Sequence, residues 1–179
     1  MPLSGDGSKG VAPAAALLEA EGPGVTPLPW EDVRSRIDAA RFYWLTTLHP
    51  SGRPHTRPVL AVWNGEVLCT TSTQAAQKGR NLQRNPKCSV AISADDMHIV
   101  IEGVASRIEG DAVERVADAY RSKYDWPVTP VEGGFDAPYA APGAGPPPYQ
   151  PYAVTPTAVY AIVTDDTLGP RHTRFRFGT

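Results

Sequence analysis

Between Phe42 and Ser72 the chain reverses direction twice with almost no room to do so. The runs "FYWLTTLH", "HTRPVLAVW" and "EVLCTTS" are separated only by a Pro-Ser-Gly turn and by Asn64-Gly65. Aromatic and β-branched residues favour strands. Parallel neighbours would need a crossover of about a dozen residues or more, so short turns leave antiparallel hairpins as the available geometry. The segment therefore predicts a three-stranded antiparallel meander. Pro58 removes a ladder donor from its second strand, which places that residue at an edge, at a bulge, or beside a foreign group.

The rest of the chain adds strands faster than helices. "KCSVAIS" and "MHIVIEGVASRIE" read as the fourth and fifth strands, with Gly103 at a bend, and "TAVYAIVT" as the sixth. "RHTRFRFG" is a seventh, setting Phe175 and Phe177 against Arg174 and Arg176. One helix is expected from "PWEDVRSRIDAAR", with Glu31 and Asp32 at its positive end and Val33, Ile37 and Ala40 on one face. A short second helix, "TQAAQKGRNLQRNP", is weakened by Gly79 and stopped by Pro86. A third, "GDAVERVADAYRSKYD", carries a stripe of Val113, Val116, Ala117 and Tyr120. Helices are too few for a doubly wound parallel sheet. The expected fold is mostly β with accessory helices: a small antiparallel barrel of six or seven strands, curled to protect its edges.

At 179 residues the chain suits one domain. Residues 1–27 read as a flexible N-terminal segment in which "AAALLEAE" makes at most a helical turn or two, and residues 28–179 as the domain. Residues 127–156, rich in Pro and Gly, read as a long loop with polyproline-like pieces and no core strand. Tyr139, Tyr149 and Tyr152 suggest that this loop lies on a surface, where it could roof a pocket. The net charge of -2 does not support a broad nucleic-acid-binding face. No leader-like or bilayer-length apolar run is evident, so a cytoplasmic location is expected. Cys69 and Cys88 sit in strand-like runs and read as buried thiols, with a single disulfide as the alternative. Neither they nor the four histidines have metal-ligand spacing.

Chemistry concentrates in "QKGRNLQRNP". Lys78, Asn81, Leu82 and Asn85 share one helical face. If Leu82 packs inward, Lys78 and Asn81 border the barrel mouth, where an ammonium and an amide suit an anion. A solvated basic turn is the plain alternative. Thr70, Thr71 and Ser72 end a strand just before that helix, and could serve an anion or simply favour the strand. His55 and Arg57 share a face of the second strand with Val59.

Taken together, "FYWLTTLHPSGRPHTRPVLAVWNGEVLCTTSTQAAQKGRNLQRNPKCSVAI" resembles the pyridoxamine 5'-phosphate oxidase-like split β-barrel superfamily, in particular its flavin- and deazaflavin (F420)-dependent oxidoreductase branch. The likeness covers residues 30–125, with weaker agreement over 157–177. It implies a homodimer whose cofactor lies at the subunit boundary over the second and third strands. His55, Arg57, Pro58 and Val59 would then flank the ring system; Thr70, Thr71 and Ser72 would face the ribityl-phosphate region; Lys78 and Asn81 would meet the phosphate. The chain departs from the pyridoxamine phosphate oxidases in having Val62 and Trp63 where a basic residue is usual, and in lacking their C-terminal "RL.P" signature, so vitamin B6 oxidation is not expected. The resemblance implies hydride transfer between F420, or alternatively FMN, and a small conjugated or planar substrate. A non-enzymatic protein that binds or stores such a cofactor is the other reading. Arg80, Arg84, Arg174 and Arg176 remain either surface groups or cofactor contacts, and Trp63 or Trp126 could stack on a ring.

Overall fold

The computed structural model describes residues 12–19, 22–140 and 145–178. The expected flexibility of residues 1–11 and 20–21 lies outside the described residues. Eleven antiparallel strands and three helices follow one another as β1 (Ala14–Leu17), α1 (Trp30–Ala39), β2 (Tyr43–Leu48), β3 (Pro54–Val59), β4 (Ala61–Asn64), β5 (Val67–Thr73), α2 (Gln77–Arg84), β6 (Lys87–Ser93), β7 (Met97–Arg107), α3 (Ala112–Tyr124), β8 (Thr129–Val131), β9 (Gly134–Asp136), β10 (Tyr149–Val163) and β11 (Thr173–Arg176). The mostly-β, antiparallel split-barrel arrangement expected from the sequence is the one observed. Every long run predicted as a strand is a strand. The count is higher because the second run divides in two and three short strands join the sheet.

The division falls at Leu60. β3 pairs with β2, whereas β4 pairs with β5, so the expected three-strand meander is broken at that residue. A break in a strand strands its polar groups, and α3 satisfies them. The Tyr120 hydroxyl donates towards the carbonyls of Leu60 and Cys69 at 3.0 and 3.2 Å, and the Tyr124 hydroxyl bridges the carbonyl and amide of Ala61. Pro58 lies, as expected, on an edge: β3 ends the path β1-β11-β10-β7-β6-β2-β3.

β10 is the seam of the split. Along one side it follows β7 from Tyr152 to Val163; along the other, Tyr149–Val154 pair with β5 and Ala158–Ala161 with β11. Its register shifts between Pro156 and Ala158, opposite Gly103, where a Cβ would sit 2.5 Å from the Thr155 carbonyl. That closeness explains glycine there better than a bend does. The first half of β10 corrects the reading of 127–156 as a loop. Pro151 costs one donor and Pro156 falls at the bulge, while Gln150, Tyr152 and Val154 are buried on one face and Tyr149 on the other. Burial on both faces outweighs the missing donor. The β8–β9 hairpin is a second departure. It packs with α3, so Trp126, Phe135 and Tyr149 fill a second core with Cys69, Val62 and Tyr120. β1 is a third: Ala14–Leu17 extends alongside β11 rather than forming a helical turn.

The main core lies inside the barrel and includes Ile37, Leu45, Leu68, Ile99, Tyr152 and Phe175. β5 separates the two cores, with Leu68, Thr70 and Ser72 alternating against Cys69, Thr71 and Thr73. Both cysteines are free, and burial pushes both thiols up to about 12.

Candidate functional site

The helix α2 closes one end of the barrel. Leu82 enters the main core, and the Asn81 amide donates to the Thr47 hydroxyl on β2 at 2.9 Å, which in turn donates to the His55 carbonyl on β3 at 3.3 Å. Gln77 donates to the Asn81 carbonyl oxygen at 2.7 Å. Asn81 is thus a fully buried strut between α2 and the β2–β3 pair. Gly79 sets the other contact. A Cβ there would lie 2.7 Å from the Thr73 carbonyl and 2.9 Å from Ser72 Oγ, so only glycine lets α2 settle on the end of β5. The feature that read as a helix weakness is a packing requirement.

Buried polarity is concentrated at this end. Of the buried polar or charged residues described, all but Thr70, Thr71 and Thr173 lie on α2 or on the parts of β2, β3, β5 and β10 near it. Lys78 is the charged member, 8% exposed. The four ion pairs of the described residues are Arg34–Glu31, Arg36–Asp96, Arg121–Glu114 and Arg121–Asp118, and Lys78 belongs to none. Burial, and then the neighbouring Arg57, lower its affinity for a proton. The stem of Lys78 is buried, its ammonium is not among the buried atoms without a partner, and no acid stands beside it, which leaves that charge available to an anion. The first turn of α2 adds to the same field. Its N-cap is Ala76, which supplies no side-chain acceptor, and the turn holds no acid. The leading amides of the helix therefore lack a capping partner next to Lys78.

His55 belongs to this basic end. It is 7% exposed, and its Nδ1 is buried with no hydrogen-bond partner. Burial first, then Arg57 and Arg53, hold the imidazole below the usual histidine range. No carboxylate contributes to either the Lys78 or the His55 shift. Arg57 is exposed at the barrel edge, its guanidinium resting on the Thr56 carbonyl at 2.8 Å.

The structure gathers some of the expected site residues and disperses others. His55, Arg57, Ser72, Lys78 and Asn81 converge at the α2 end. Thr70 lies on the same face of β5 as Ser72, but its hydroxyl is spent on the Leu60 carbonyl at 3.1 Å. Thr71 turns towards Tyr120 in the second core. Val59 is in the main core opposite Tyr43, and Pro58 faces outward beside Trp44. Strand alternation makes these separations unavoidable, since consecutive residues cannot share a face. Trp63 pairs with Leu68, at the end of β5 remote from α2, where it meets Trp30 edge-on; Trp126 is core. Neither stacks near Lys78. Arg80 spends its guanidinium on Gln77 and the Ala75 carbonyl. Thr47, Gln150 and Tyr152 were not expected at this end. They come from β2 and β10, and only the closure of the barrel, which no local pattern reports, brings them there.

Among curated proteins none matches the chain. Solved structures share its fold. A heme-binding protein from Mycobacterium smegmatis superposes with a TM-score of 0.59 at 21% identity over 77% of this chain, which spans 55% of that protein's length. An F420 reductase superposes with a TM-score of 0.54 at 25% identity, covering 75% of this chain and 98% of the other. A FAD-binding protein from Mesorhizobium loti gives 0.55 at 13% identity over 86% and 98% of the two chains. The sequence profile described as pyridoxamine 5'-phosphate oxidase matches residues 29–162, which runs from the start of α1 through β10 and contains every residue of the basic end. The chain therefore belongs to the pyridoxamine 5'-phosphate oxidase family.

Proposed function

We propose that this protein binds a phosphorylated flavin-type cofactor, F420 or alternatively FMN, at the α2 end of the barrel and uses it in hydride transfer with a small conjugated or planar substrate. The observation that carries this reading is Lys78: its stem is buried, its ammonium joins no ion pair among the described residues, and it stands in the uncapped first turn of α2. The residues fit the charged end of such a group. Lys78 and Arg57 supply the positive charge and α2 its free amides, while the Ser72 hydroxyl already donates to the Thr73 carbonyl at 3.0 Å. Asn81 braces the helix through Thr47 and so fixes where Lys78 stands. The bound ring system supplies the hydride chemistry. The chain's part is to orient the ring, exclude water and hold the anion. The fold shared with an F420 reductase at 25% identity favours F420 over FMN. Neither Val62, buried in the second core, nor Trp63 offers the basic group expected for vitamin B6 oxidation.

The partner in this reading is a second copy of the chain. The outer sheet face exposes Trp44 (51%), Leu48 and Val104 around a concave groove of about 470 Å³ lined by Thr46, Ser89 and Glu102. Arg174 and Arg176 lie two strands away from Val100 and Glu102, across β10. Opposite charges separated on one face complement each other when two copies meet about a two-fold axis. Pro54, Thr56 and Pro58 extend the face onto the back of β3, so a partner there borders the cofactor strand.

The test is a spectroscopic titration with F420, FMN and heme, followed by mixing with reduced F420 and enone or quinone acceptors. Tight F420 or FMN binding with reoxidation above background supports the enzyme. Binding without turnover supports the storage reading. Binding of heme alone overturns both. Trp44→Glu is expected to yield a monomer by sedimentation; an unchanged dimer would move the interface elsewhere.

A further inference from the structure

His55 poses a problem that holding the anion does not by itself resolve. Its ring is inside the protein, yet Nδ1 meets no hydrogen-bond partner. A buried polar atom left this way is costly, and such an atom beside a binding site points to a ligand. The surroundings fix the ring's charge state in the absence of that ligand. On its own strand and the preceding turn stand Arg57, Arg53 and His49, all of which disfavour an added positive charge. From β2 the Thr47 hydroxyl lies opposite, already shared between Asn81 and the His55 carbonyl. From α2 come the neutral Asn81 and, on the side of Arg57, the cationic Lys78. No acid answers these charges, so the imidazole is neutral.

An incoming phosphate inverts that balance. Negative charge placed between Lys78 and Arg57 opposes the field of the arginines, gives a buried imidazolium the counter-ion that its burial otherwise denies it, and offers oxygens to an N–H. We propose that occupation of the basic end by a phosphate-bearing ligand is coupled to uptake of one solvent proton at His55, whose Nδ1–H then donates to the ligand. The step is a protonation only, with no bond to carbon and no electron transferred. It rests on the phosphate site proposed above, and makes affinity pH-dependent through a group that is silent in the free protein. Below the pH at which free His55 would itself be charged no proton is taken up. Above the pH at which liganded His55 loses its proton, the linkage again vanishes. Between those limits affinity falls as pH rises.

The experiment is calorimetric titration of the full chain with FMN at pH 7.5, in buffers of widely different ionisation enthalpy. Riboflavin, which lacks the phosphate, is the control. His55→Gln keeps a polar side chain that does not titrate. FMN's own phosphate has a second pKa of about 6, and its small proton exchange is common to both proteins. The wild type is expected to take up up to about one proton more per bound FMN than His55→Gln, and riboflavin is expected to cause no such uptake. If His55→Gln fails to fold, the histidine ring resonances of the wild type provide the readout, since His55 must pass from the neutral to the cationic form as FMN is added. Equal proton uptake by the two proteins, or ring signals that stay neutral, overturns this proposal while leaving the phosphate site standing. Failure of both FMN and F420 to bind overturns the two together.

Discussion

Lys78→Met separates a functional lysine from a structural one by the sign of its effects. Methionine keeps most of the buried stem's volume and removes the charge. The native side chain is mostly buried, and its ammonium joins no ion pair among the described residues and has Arg57 near. Nothing that stabilises the free protein is lost, and an uncompensated charge is removed. Stability is therefore expected to stay level or to rise by about 1 kcal/mol. Cofactor affinity moves the other way. One charge-assisted hydrogen bond contributes about 2 kcal/mol, which at 1.4 kcal/mol per decade is a loss of about 30-fold in Kd for F420 or FMN. Urea unfolding of the cofactor-free protein and fluorescence titration measure the two quantities. There is also a signature in pH. Lys78 binds its proton more weakly folded than unfolded, so the wild type gains stability as pH rises towards the ordinary lysine value of 10.5. The variant lacks that part of the gain. A variant that is destabilised by more than about 1 kcal/mol while binding cofactor as tightly as wild type would refute the reasoning, because it would make Lys78 a packing residue.

Two further substitutions test the frame around the site. Gly79→Ala should improve helix propensity by about 1 kcal/mol, yet its Cβ would stand 2.7 Å from a backbone carbonyl. Net destabilisation of about 1–3 kcal/mol with weakened cofactor binding is expected by denaturation and titration, and a more stable protein would show that α2 is not seated as described. Lys123 donates to the Tyr43 hydroxyl at 2.7 Å and to the Asp38 carbonyl at 2.6 Å, and burial lowers its pKa to about 8. Because the unfolded chain holds that proton up to about 10.5, the folded state gains from Lys123 between pH 8 and 10.5. The stability difference between wild type and Lys123→Met should therefore shift in favour of wild type across that window; a flat difference by urea unfolding would count against the shift. The thiols give a third check. With both pushed up to about 12, neither Cys69 nor Cys88 should react promptly with Ellman's reagent at pH 8 until the protein is unfolded. Cys69 is wholly buried and Cys88 partly so, and rapid modification of Cys69 in the native protein would contradict its burial.

Much of this architecture was written in local pattern. Tight turns forced antiparallel pairing, alternation identified the long strands, and the helices began and ended near their charge and proline signals. Lys78 and Asn81 were legible as neighbours on one helical face, and His55 and Arg57 as neighbours on one strand face; the family resemblance alone joined the two pairs. What local pattern could not carry was anything set by distant partners. Tyr149–Pro156 read as loop because proline was weighed against a strand in isolation, whereas burial against β5 and β7 decided the matter. The break at Leu60 had no signal of its own, since its polar groups are satisfied by tyrosines sixty residues away. Thr71 and Pro58 left the site because neighbours in sequence face opposite ways across a strand. Sequence alone thus determined the strand-rich, antiparallel character of the protein and the chemical types at its basic end, because these depend on near neighbours. Only the closed barrel decided which of those groups meet, buried the stem of Lys78 and left His55 Nδ1 buried without a partner, because burial is a property of everything that surrounds a residue.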